Sequence, residues 1–235
     1  MSSTFLALCQ KFPVVTGVAG NIPQAVTGQT GILQKIVNWV ADADTTIQGL
    51  YQNWNFLRTD GQVITLALGT SEYSLSTLGI TDLITWDRKR FVLSPGAAGF
   101  VKLKEYDYSE WLDSDARLGA TASNVKPDRI VIKPDNSLVF VGPPNDTYTV
   151  WASYYSAPTR LAANTDTSPI PATFENIILY RAKMFYAEYY EDWDLYKSAE
   201  KDYEAELVKL EAAQLPGQSV RTNSDYPEDN VIITE

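Results

Sequence analysis

The sequence predicts an α+β fold: a helical bundle built from N-terminal helices and a long C-terminal helix, an inserted antiparallel β-sandwich or barrel, and an extended C-terminal tail. Two changes of period carry this. Apolar residues step by three or four over residues 1–60 and 167–212, and by two over most of 61–166. Pro216 and Gly217 then end any helix, and the remainder to Glu235 has no period long enough to fold alone. The expected organisation is a helical domain from 1–60 with 167–212, a β domain at 61–166 and an arm at 213–235. The two helical pieces pack together most economically, with the β domain projecting from one end.

Each element has its own signal. A helix over 4–12 sets Phe5, Leu8 and Phe12 on one face, and Pro13 is expected to stop it. After a glycine-rich loop, Ile32, Ile36, Trp39 and Val40 form a stripe with Thr30 as N-cap. Ile47, Leu50, Tyr51 and Trp54 extend the stripe beyond Asp44, where a fresh cap or a kink is expected, and Asp60-Gly61 reads as a turn. Ile64, Leu66 and Leu68 then alternate with Val63, Thr65 and Ala67 as a strand. Further strands fit 72–75, 83–93 and 100–106, and a short helix fits 108–114. Residues 129–133, 138–141 and 148–155, joined by turn-rich segments, read as a three-stranded meander. Pro169 and Pro171 hold an extended lead-in, Thr173 is placed as a cap, and 174–211 reads as one helix. Phe174, Ile178, Ala182, Phe185, Tyr189, Trp193, Tyr196, Tyr203, Leu207 and Leu210 keep its period, apart from the gap that Glu200 fills.

Composition removes whole classes of chemistry. With no histidine, mechanisms that use imidazole are excluded, and with Cys9 alone there is neither an internal disulfide nor a thiolate metal cluster. The 29 acidic residues outnumber 19 basic ones, giving a net charge of −10, which disfavours wrapping nucleic acid. That charge is uneven: −5 falls on 174–212 and −3 on 213–235. No stretch approaches the roughly 18 apolar residues of a membrane span, and the start carries no basic targeting region. The expectation is a non-enzymatic protein, made and kept in a reducing cytoplasm, with no cofactor, no metal and no membrane partner.

Several clusters admit a functional reading beside a plainer one. The aromatic ladder Phe185, Tyr189, Trp193, Tyr196 and Tyr203 could stack sugars or bases, but its spacing is that of a buried face or a subunit interface. Glu188, Glu191, Asp192 and Asp194 could bind a cation or work as an acid–base pair, or could simply be a solvated helix face. Arg88, Lys89 and Arg90, read as strand residues, could meet phosphate or an acidic partner; alternation turns half of them to solvent. Cys9 among Phe5, Leu8 and Phe12 reads as a buried, inert thiol. Trp86, Trp111 and Trp151 could form the stacking platform of a carbohydrate- or receptor-binding β module. In the tail, Tyr226 and the β-prone run Val231, Ile232 and Ile233 need a destination, such as the sheet edge of a partner.

The layout resembles the head-to-tail adaptor (connector) proteins of tailed bacteriophages, in the short-tailed class that includes the T7-like tail tubular A type. The matching stretches are FLALCQ at 5–10, ILQKIVNWV at 32–40 running to YQNW at 51–54, PIP at 169–171, the helix over 180–190, and the extended tail. The resemblance implies a structural virion protein of the neck, forming a ring, typically a dodecamer, beneath the portal protein and above a tail or nozzle protein. Double-stranded DNA would pass through it without specific binding, which an acidic lumen favours. It also implies that 215–235 forms an arm along the portal, anchored by Val231, Ile232 and Ile233. The alternative is the carbohydrate- or receptor-binding β module of a phage tail, and an enzyme using a carboxylate pair ranks third.

Overall fold

The computed structural model describes residues 2–17, 22–94, 100–113 and 124–215. Along the chain run α1 (Phe5–Thr16), α2 (Gly31–Gln48), β1 (Arg58–Leu66), β2 (Glu72–Tyr73), α3 (Leu75–Leu78), β3 (Leu83–Trp86), β4 (Val92–Ser94) and β5 (Val101–Lys102). There follow β6 (Lys104–Glu105), α4 (Tyr108–Asp113), β7 (Arg129–Ile132), β8 (Leu138–Phe140), β9 (Tyr148–Ser156), α5 (Asn176–Tyr189) and α6 (Trp193–Gln214). The class is α+β, as the periods predict. One unit combines residues up to 43 with those from 161 onward, and a second spans 44–160. The expected arm residues Tyr226, Val231, Ile232 and Ile233 lie outside the described residues.

In the first unit, α1 begins where the Thr4 hydroxyl accepts the Ala7 N–H. The leading N–H groups of a helix have no partner inside it. Here the segment after residue 161 supplies them: Phe5 donates to the Asp166 carbonyl at 2.7 Å and Leu6 to that of Asn164 at 3.3 Å. The Asn164 side chain accepts from Val26 N at 2.7 Å, and the Asp166 carboxylate accepts from Ala162 and Ala163, each at 2.8 Å. Against expectation, Pro13 does not stop α1, which runs to Thr16 and closes on Gly17 at φ 69°. Proline forfeits only the bond to the Cys9 carbonyl. Burial of Phe12 and Pro13, with the Thr16 hydroxyl donating to Phe12 O at 3.0 Å, keeps the extra turn.

The stretch 174–211 is two helices rather than one, and the longer of them, α6, is the long C-terminal helix. Thr173 does not cap: Ala172–Phe174 is a 3-10 turn, and α5 follows Glu175. Between α5 and α6, Asp192 N donates to Ala187 O at 2.9 Å and Glu191 N to Glu188 O at 3.2 Å. This is a Schellman cap. Its left-handed position, usually glycine, is Glu191 at φ 57°. Asp192 immediately caps α6 by accepting from Leu195 N at 3.0 Å. The chain therefore folds back at once, and α6 packs along α5 as an αα-hairpin. Periodicity does not reveal such a turn, because the apolar spacing runs straight through it.

The second unit starts within α2, which continues through Asp44 instead of being recapped there; its buried carboxylate accepts from Gln48 Nε2 at 2.7 Å. Gln48 also donates to Thr159 O at 3.2 Å and accepts from Thr159 N at 3.0 Å, which joins the first and last turns of this unit. Helix α2 ends at Gln48, so Leu50 and Tyr51 do not extend its stripe and are exposed. Trp54 is buried, donating from Nε1 to Ile47 O at 3.1 Å. Asp60-Gly61 is a bulge inside β1, not a turn: the pairing with β9 shifts between Thr59 and Gln62, and Gly61 takes φ 79°. Asp-Gly suits a turn and a bulge alike, because both use the positive φ that glycine adopts, and here the long-range pairing with β9 selects the bulge.

Two sheets face each other. In one, β9 is flanked by β1 on one side and by β3 and β4 on the other, with β5 beyond β4; the other has the order β2-β8-β7-β6, with β6 parallel to β7. Ile64, Leu66, Trp86, Leu93, Val150 and Ala152 from the first meet Tyr73, Ile130, Leu138 and Phe140 from the second in one core. The expected meander is corrected by this pairing: β7 and β8 form a hairpin, but β9 crosses to the other sheet. Residues 83–93 and 100–106 likewise split, into β3 and β4 and into β5 and β6. The crossing to β9 starts at Gly142, φ 81°, where an added Cβ would collide with Val125 Cγ2.

Two outcomes are expected. Gly142→Ala should lower stability by about 1–2 kcal/mol from the left-handed backbone alone, read as a fall in melting temperature; an unchanged melt would mean that the crossover relaxes freely. The Asp166 carboxyl is held below its usual range by the N–H groups of Ala163 and Ala162, that of Asp60 by the Ser153 hydroxyl and then Arg58, and that of Asp135 by Ser137. Lowered carboxylates stabilise the fold above their unfolded value, so that support is present at neutral pH and lost as pH falls below about 4. Asp166→Asn should flatten part of the acid limb of the melting-temperature profile. An identical limb would mean that Asp166 contributes nothing to it.

Candidate assembly surface

The first unit carries a connected set of aromatic rings. Trp39 of α2 meets Phe12 of α1 at 6.3 Å, and Tyr186 and Tyr189 of α5 at 5.7 Å each, between ring centroids. Tyr190 continues the set at 4.7 Å from Tyr186 and 4.9 Å from Tyr189. The Lys35 ammonium sits 3.4 Å from the centre of the Tyr189 ring, a cation–π contact. Burial, then the nearby Tyr190 and Asp192, push the Tyr186 hydroxyl above its usual pKa. Trp39, Asp42, Phe185, Glu188 and Tyr189 line an open groove of about 290 Å³.

Within this arrangement the predicted ladder divides. Tyr203 is buried in the α5–α6 hairpin, where the Arg181 guanidinium lies 5.8 Å from its ring and 4.6 Å from that of Phe185. Phe185 and Tyr196 are half-buried. Tyr189, Tyr190 and Trp193, by contrast, are 53%, 51% and 58% exposed around the turn. The spacing therefore identified the stripe but not its two destinations. Lys35 escaped notice because a lysine beside an apolar stripe looks like ordinary helix surface; its i,i+4 relation to Trp39, which also faces Tyr189, was the available signal.

The other clusters resolve into structural work. Glu191 and Asp192 form the turn, and Asp192 is occupied in capping. Among the described residues no group of three or more histidine, cysteine, aspartate or glutamate side chains is gathered as a metal would require. Arg88, Lys89 and Arg90 lie in the turn between β3 and β4 rather than in a strand, because β9 pairs on either side of them. Arg88 is paired with Glu105 at 2.6 Å, while Arg90 lines a shallow groove of about 220 Å³ with Asp60, Trp151 and Ser153. Cys9 is buried, and burial pushes its thiol up to about 12, so it is unreactive at neutral pH.

The tryptophan platform does not form. Trp86 is 2% exposed, packed on Phe91 and Tyr154 with Nε1 donating to Asn136 O at 2.9 Å. Trp111 covers Val131, Val139 and Val141 on the outer face of the smaller sheet, and Trp151 alone of the three presents a large exposed face, at 44%. A core position, a sheet cover and an outward strand position share no plane, so stacking by the three together is excluded.

No helix among the described residues is long and apolar enough to cross a membrane. No curated protein matches the chain in sequence. The family model for the SU10 adaptor protein matches residues 8–226, which takes in both structural units. The chain therefore belongs to the SU10 adaptor protein family, structural proteins of the phage head-to-tail junction.

Proposed function

We propose that this chain is one subunit of a homo-oligomeric ring, a dodecamer by family resemblance, that joins the portal protein to a tail or nozzle protein in the virion neck and lets double-stranded DNA pass. In this reading it is made in the host cytoplasm. The helical residues 1–60 and 167–212 contact the portal and neighbouring subunits, the β domain at 61–166 faces the tail, and the arm at 213–235 runs along the portal with Tyr226, Val231, Ile232 and Ile233 as its anchor. The observation that carries the self-assembly is the concentration of Tyr189, Tyr190 and Trp193, all more than half exposed, at one turn. Large aromatic side chains left together at a surface mark a contact with another protein. The acidic surplus of 174–212 supports passage of DNA without retention, since like charge leaves phosphate nothing to bind.

Mixing the protein with purified portal should give a ring seated on the portal, visible by electron microscopy; persistent failure to bind portal would overturn the adaptor assembly. Removing residues 218–235 should weaken portal attachment about tenfold or more with an unchanged melting temperature, and equal attachment would strip the arm of its role. Replacing Tyr189 and Trp193 together by serine should abolish ring formation. Both are more than half exposed, but Tyr189 also packs on Trp39 and under Lys35, so the monomer should remain folded and lose about 1–3 kcal/mol. Rings that form normally would place the interface elsewhere.

A further inference from the structure

We infer that α6 is an exchangeable element: in the assembled state Glu191 returns to a right-handed helical conformation, α5 and α6 become one helix, and α6 of one copy packs on α5 of the next. The inference rests on the self-assembly proposed above and adds which element crosses between copies. Three observations support it. The apolar spacing of three and four passes through the bend without a break, from Phe174 by way of Tyr189 and Trp193 to Tyr196, and resumes at Tyr203 with only the small Ala199 between, so the side-chain pattern suits a continuous helix as well as a hairpin. The bend depends on one residue, since Glu191 is the left-handed position of the cap, and Asp192 serves as both the end of that cap and the start of the next helix. Among the described residues, Glu191 and Asn136 are the non-glycine residues with positive φ; asparagine enters that region readily and glutamate does not.

The third observation concerns what α6 touches. Its main packing partner is α5, and its buried residues are Ala199, Tyr203 and Leu210. A second copy offers the same α5 face and would recover the same contacts, including Arg181 with Tyr203. The two arrangements then differ in the hinge and in the cost of association, and a short strained hinge is the circumstance that favours swapping. Opening the hinge also sets Tyr189 and Trp193 in register along one helix face, where a neighbour can cover both.

The test uses the full chain assembled alone or on purified portal. Two single variants, Arg181→Cys and Tyr203→Cys, are mixed and treated with a short bis-maleimide; native Cys9 is buried and does not compete. Exchange predicts a product linking two chains in the assembly, and a link within one chain when the double variant is a dilute monomer. Glu191→Gly removes the hinge strain and weakens a continuous helix, so it should lower the two-chain product about tenfold. Asp192→Ala removes the cap that only the hairpin needs, and should raise it about fivefold. Should the cysteine variants misfold, the hinge pair alone reads the same equilibrium by light scattering after size exclusion: Asp192→Ala shifts mass toward oligomer and Glu191→Gly toward monomer. Assembly with links confined within chains, or equal behaviour of the two hinge variants, overturns the exchange alone. A chain that never assembles overturns the self-assembly reading and the exchange with it.

Discussion

The unsatisfied N–H groups at the start of α1 set the terms for the first unit. Phe5 and Leu6 need acceptors, and the carbonyls of Asp166 and Asn164 provide them from the far end of the chain. A loop bearing acceptors at the right places must itself be held in shape. The Asp166 carboxylate does this by folding residues 162–166 onto itself, and the Asn164 side chain fixes Val26 in the same step. Once that segment is anchored, Ile170 is buried, Pro171 directs the chain into the 3-10 turn, and α5 is delivered to the side of α1. The 2.7 Å bond from Phe5 to Asp166 is thus the point at which two pieces of sequence become one unit. Loss of an acceptor there would leave a helix terminus unsatisfied, at about 1–3 kcal/mol per buried group.

The second unit solves its own closure problem with a single side chain. Gln48 makes both amide bonds to the backbone of Thr159, so the first and last segments of 44–160 are tied as two strands of a sheet would be. Between them β9 acts as the spine: it pairs with β1, β3 and β4, and its inward Val150, Ala152 and Tyr154 face the core while Trp151 faces out. The β7–β8 turn secures the opposite sheet, since the Asn136 carbonyl accepts from the Trp86 indole while its amide donates to Ile84 O at 3.2 Å. Local turn chemistry and inter-sheet packing are here the same two contacts.

Much of this was legible in the sequence where the signal is local. Alternation at Ile64 and Leu66, the hairpin between Ile132 and Leu138, and the burial of Phe5, Leu8, Cys9 and Phe12 follow from patterns a few residues long. What escaped was decided by partners distant in the chain. Gly61 kept its positive φ but served a bulge, because β9 lay opposite; β9 left its apparent meander because the larger sheet needed a centre. Pro13 failed to end α1 because its ring found a buried site. The candidate surface was half legible: spacing located Phe185, Tyr189, Trp193, Tyr196 and Tyr203, but only the fold separates the buried Tyr203 from the exposed Tyr189 and Trp193.

That separation follows from the one place where local preference and observed conformation disagree. A stripe that keeps its period through 174–211 should form a straight helix, and helix propensity at Tyr190, Glu191 and Asp192 gives no strong reason to stop. The hairpin forms because α6 then covers α5, and the burial of Ala199, Tyr203 and Leu210 outweighs a left-handed glutamate costing about 1–2 kcal/mol. The aromatics at the bend cannot share in that gain. Tyr189 and Trp193 point away from the hairpin seam because the seam ends there, and they stay exposed in the isolated chain. The hairpin thus covers one helix face of the chain while leaving Tyr189, Tyr190 and Trp193 more than half exposed at its bend, and large rings left together at a surface gain most from being covered by another protein.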